Sequence, residues 1–180
     1  MKSDDPIREG IALHEAGHAA VSMALGDGNQ AGANMEGWHS TSAIIDFHVL
    51  PRQVAVRHAA RRALVAAAGP MFWHQRQGLA FDLVELICQE DGEPGSDGFV
   101  IKDCVNFISS SIPEQPLIDR IQATTADILA DPSVINLALA IADNLMAMDR
   151  LTGAQLMVFH ARLPTSPELM LIPGQLAANH

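Results

Sequence analysis

The sequence predicts a mainly α-helical domain (α+β in class) with one small β-sheet or hairpin. Three observations predict it. Apolar residues recur at helical spacing over most of the chain, and Asp, Pro and Gly fall where helix ends need them. Only one stretch, Thr41 to Leu50, has the β-branched and aromatic pattern of a strand. No repeat or long linker divides the chain, so residues 1–180 read as one domain, long enough to bury a core without covalent staples.

Taken in order, Asp5 and Pro6 read as an N-cap and first helical residue, with the helix running to Gly26. "GDGNQAGANMEG" (Gly26 to Gly37) reads as a loop, and the strand at 41–50 ends at Pro51. A helix follows over Gln53 to Ala68, with Gly69-Pro70 as a break or kink. Another covers Ala80 to Gln89, and the acidic "EDGEPGSDG" is a loop. The next helix begins at Ser96 or Asp97 and lasts to Ser109. Further on, Leu117, Ile118, Ile121, Thr125, Ile128 and Leu129 form one apolar stripe. "VINLALAIADNLMAM" is apolar almost all round, which predicts a buried helix.

Composition narrows the function. A net charge of −10 argues against nucleic acid or an anionic membrane as partner, because phosphate binding needs clustered Lys and Arg. The one basic cluster, Arg52 to Arg62, reads as a solvated helix face. Two cysteines, Cys88 and Cys104, are too few for a disulfide framework and fit a reducing compartment. The polar, acidic N-terminus lacks the apolar core of a signal peptide, so the expected location is cytoplasmic. With 48% apolar residues the polar coat is thin, which makes self-association plausible.

Chemistry concentrates in the first helix, in "ALHEAGHAAVSMALG". Ile7, Ile11, His14, His18, Val21 and Leu25 share one helical stripe, so both histidines face the core. A buried imidazole needs partners for both nitrogens, and two of them one turn apart can share a single ion. Histidines four apart on a helix can converge on Zn²⁺ at ~2.0–2.1 Å. Glu15, rotated about 100° from His14, is placed on the flank as a base for an activated water. The blander alternative is a pair of satisfied core histidines. Gly17 in mid-helix suggests that another element approaches closely there.

A hydrolytic zinc wants a third protein ligand. Metzincin spacing would need Gly and His where this chain has Val21 and Ala24, so the ligand lies far along the chain. Asp97, Glu85 and Asp103 compete, and Asp97 has a rival role as a helix cap.

The motif at 14–18 resembles the zinc helix of the FtsH-type peptidase domain, within a zincin-like fold. Similar features follow in the same order: "IIDFHVLPR", "LVAAAGPMFW", "EPGSDGFVIKDC" and "ADNLMAMDRLTGAQL". The resemblance spans about residues 7 to 163. It implies zinc held by His14, His18 and Asp97, catalysis by Glu15, and hydrolysis of unfolded or short polypeptides, with strand 41–49 available to pair with an extended substrate. It also implies a homo-oligomer. The family's Gly-x-x-x-x-Gly-Lys-Thr phosphate loop has no counterpart here, so any unfoldase is expected to be a separate partner.

Overall fold

Asp5 starts the first helix as expected. In the computed structural model, which describes residues 5–26, 32–35, 49–109 and 114–161, its carboxylate accepts from the amides of Ile7 and Arg8 at 3.1 and 3.2 Å. Those are two of the donors that a helix start leaves without an intrahelical partner. Helix α1 then runs Pro6–Ala24.

It is held between α2 (Arg52–Gln77) and α6 (Pro132–Met148). A single buried stripe is therefore too narrow a description. Every residue from Ala12 to Met23 except His14 is buried, while Ile7 at the helix start is exposed. Gly17 explains how α2 comes so near: a Cβ there would stand 2.7 Å from the Ala68 carbonyl oxygen and 2.9 Å from Phe72 Cβ. The expected close approach is real, and its partner is α2.

Helix α2 departs from expectation. It runs through Gly69 and Pro70 and ends at Gly78, whose φ of 68° terminates it in the left-handed region. Proline in a helix interior removes an amide and crowds the carbonyl one turn back, at a cost of about 3 kcal/mol. Packing outweighs that cost. Ala66 to Phe72 are all buried, and the helix packs against α1, α4 (Asp97–Ile108) and α5 (Glu114–Ala130).

The remaining helices follow their caps. Asp82 accepts from Val84 and Glu85, so α3 (Leu83–Gln89) starts slightly later than its apolar pattern suggests. Helix α5 buries the six residues of its predicted stripe. Helix α6, capped by Asp131, turns 81° from α5. It buries one face, Val134, Leu137, Ala138, Ile141, Ala142 and Leu145, rather than its whole circumference, and packs mainly against α1. Its C-terminus is tied to α1, where Arg8 bonds the Asp149 carboxylate and, at 3.3 Å, the Met146 carbonyl.

The predicted loop 26–37 contains β1 (Gly32–Asn34), antiparallel to β2 (Arg150–Thr152) with Ala33 opposite Leu151. Three residues carry no readable periodicity, and the pairing needs a partner distant in sequence. The predicted strand falls largely on 41–48, outside the described residues; Val49 and Leu50 are not in a strand. Thr152 and Gln155 form a capping box that opens α7 (Gly153–His160). Among the described residues, no single helix is long and apolar enough to cross a membrane.

Candidate metal centre

Helix α1 supplies two histidines and the start of α4 supplies a carboxylate. His14 Nε2 lies 3.0 Å from His18 Nε2. Asp97 Oδ2 lies 2.9 Å from His14 Nε2 and 3.3 Å from His18 Nε2. These three residues form a group that could hold a metal ion.

Local capping explains why the Asp97 carboxylate is available. Ser96 caps α4, its hydroxyl accepting from the Phe99 amide at 3.3 Å. The Gly98 amide donates to Glu90 Oε2 at 2.6 Å. With both donors served by other residues, Asp97 turns toward the histidines. The capping role falls to Ser96, and Asp97 belongs to the group that could hold a metal ion. Glu85 is not in the group: it is exposed on α3 and accepts from Gln89 Nε2 at 2.9 Å. Asp103, farther along α4, is not in it either.

The second nitrogen of His18 defines its tautomer. Nδ1 lies 2.7 Å from the Val65 carbonyl oxygen, which can only accept, so Nδ1 carries the hydrogen. In the neutral ring, Nε2 then presents a lone pair toward His14 and Asp97. The two rings stand nearly perpendicular, with centroids 4.7 Å apart.

Charge follows from this geometry. Burial alone would push the His18 pKa down. The Asp97 charge and hydrogen bond, the Glu15 charge and the Val65 carbonyl together outweigh it and lift the value to about 9. Burial would push Asp97 up, but the charges and hydrogen bonds of His18 and His14 hold it well below the usual carboxylate range. Without a metal, these neighbours favour the protonated form of His18.

The site is partly open to solvent. The His14 and Asp97 side chains are 16% and 21% exposed, and His18 only 6%. Glu15, on the flank of the histidine face, is completely buried, because α1 is covered on more than one side, and its charge acts on His18.

Sequence reading missed the Val65 carbonyl, Gly69 and Glu90. The first is backbone and leaves no side-chain signature. Gly69 was visible only as half of a Gly-Pro pair that suggested a break, and Glu90 only as part of an acidic loop. His74 Nδ1 donates to the Ala80 carbonyl at 2.9 Å, and the ring is edge-on to Trp73 and Phe81. His39, His48 and His180 fall outside the described residues.

No family model, no curated protein and no solved structure matches this chain.

Proposed function

We propose that this protein is a zinc-dependent metallopeptidase acting on unfolded or short polypeptides, with His14, His18 and Asp97 as ligands and Glu15 as general base. One observation carries the reading. Two imidazole nitrogens and a carboxylate oxygen converge at 2.9 to 3.3 Å, a set of ligand atoms close enough together to share one cation. A proton can bridge two of them; a metal ion satisfies all three.

The spacing fits zinc. Tetrahedral ligands at ~2.0–2.1 Å from an ion are roughly 3.3 Å from one another. His14, His18 and Asp97 would hold the ion, and two nitrogens with one oxygen suit zinc chemically. When bound, zinc supplies an electrophile that acidifies water and polarises a carbonyl.

The chain's own residues do the rest. Val65 keeps the His18 hydrogen on Nδ1, leaving Nε2 as the donor atom. The partly exposed side of His14 and Asp97 is where a peptide carbonyl has access. Glu15 takes the proton from the attacking water and returns it to the leaving amine.

Cleavage of casein or a quenched peptide tests this. Chelator should abolish it and zinc restore it, and Glu15→Gln should stay folded and zinc-loaded with a rate lowered about 10²–10⁴-fold. Activity surviving in Glu15→Gln overturns the mechanism.

A second reading, a zinc-holding module that binds a protein partner without turnover, is favoured by the complete burial of Glu15. Stoichiometric zinc with no cleavage of any unfolded substrate would establish it.

A further inference from the structure

Helix α2 backs His18 at Gly69. A Cβ on that glycine would sit 2.3 Å from His18 Nε2, 2.5 Å from Cε1 and 2.8 Å from Cδ2. Favourable contacts between such atoms lie near ~3.5–4.0 Å, so a side chain and the ring cannot share this space. The atom met first is Nε2, the one directed at His14 and Asp97.

The ring has little room to yield. Nδ1 is held by Val65, one turn earlier on the same helix, and the side chain is almost wholly buried. Backing α1 away would open the contact at Gly17, which already approaches the Ala68 backbone and Phe72 too closely for a Cβ. Gly69 itself lies inside a regular helix and is not at positive φ. Alanine is the better helix former there, so what distinguishes glycine at this position is its missing side chain.

We infer that Gly69 is a positioning residue of the metal centre: the space left by its absent side chain sets where His18 Nε2 lies, while the Val65 carbonyl sets the rotation of the ring. Residues 65–69 of α2 thus form the second wall of the site. This rests on the metal-binding reading above.

The test compares wild type, Gly69→Ala, His18→Ala and the double variant His18→Ala/Gly69→Ala. Zinc affinity is measured by chelator competition, the visible spectrum of the cobalt-substituted protein reports geometry, and melting is followed without metal. Gly69→Ala should bind zinc about 10–100-fold more weakly and show an altered cobalt spectrum. Without metal it should melt below wild type, whereas the double variant should melt above His18→Ala, because the clash is gone and alanine favours the helix. Should Gly69→Ala fail to fold, recovery of folding in the double variant supports the same contact.

Wild-type zinc affinity in Gly69→Ala overturns the inference. So does an equal rise in melting temperature in both backgrounds. A wild-type chain that binds no zinc instead overturns the metal reading, and the metal-free melting comparison keeps the two failures distinct.

Discussion

The imidazole of His18 on α1 donates through Nδ1 to the backbone carbonyl of Val65 on α2, at 2.7 Å. One bond between two helices thereby decides which nitrogen faces Asp97. Outer contacts of this kind orient metal-binding histidines and tune their basicity. Here the contact also joins the site to the close packing of α1 on α2 at Gly17, so site geometry and fold stability share the same pair of helices.

The ligand set should be selective. Wild type is expected to hold one zinc per chain, and Ala at His14, His18 or Asp97 should remove it. Glu85→Gln and Asp103→Asn should leave it in place, because neither carboxylate reaches the cluster. Metal analysis of protein purified without a metal-affinity tag checks this. Zinc lost in Glu85→Gln but kept in Asp97→Ala would reassign the third ligand.

Stability of the metal-free protein should depend on pH through the same cluster. The folded value for His18, about 9, lies above its ordinary 6.5. Its contribution is therefore whole below 6.5 and lost as pH rises through 9. Asp97 is lowered from 3.8, so its contribution is present above that value and lost as pH falls. Both contribute between those limits. The loss on the alkaline side is on the order of 3 kcal/mol at most. Urea midpoints of chelator-treated protein should fall between about pH 6 and about pH 9.5. Asp97→Asn should flatten that slope. Zinc affinity should run the other way and strengthen as pH rises, since the metal replaces the proton.

Packing between α1 and α2 should be intolerant at Gly17. Alanine is the better helix residue by about 1 kcal/mol. Its Cβ, however, would meet the backbone oxygen of Ala68 at 2.7 Å, an atom that cannot move aside without shifting α2. Gly17→Ala is expected to destabilise by roughly 1–3 kcal/mol net. Denaturant unfolding measures it, and a stabilised variant would show that the helices slide apart easily.

The two thiols should differ in reactivity. Cys88 is exposed on α3, while Cys104 is buried in α4, where burial pushes its pKa up to about 12. A thiol reagent should modify one cysteine per native chain and two on unfolding. Peptide mapping should place the first label on Cys88.

Much of the fold was legible because its signals are local. Asp5-Pro6, Ser96 and the stripe from Leu117 to Leu129 act through neighbours within one or two turns, and each behaves as read. The larger misreadings were non-local. Pro70 lowers helix propensity, yet burial on several sides carries α2 through it. Gly32 to Asn34 form a strand only because Arg150 to Thr152 pair with them. The apolar circumference of α6 overstates its burial because its neighbours bury one face of it.

At the site the same division holds. The spacing of His14 and His18 alone determined that two imidazoles share a helix face, since four residues make about one turn. Tertiary structure decided the rest: which carboxylate joins them, which nitrogen each contact leaves available, and how deeply Glu15 is enclosed. A helix repeat specifies direction along its own axis. Distances to other helices depend on how closely their surfaces can approach, and here that is set by single absent methyl groups at Gly17 and Gly69.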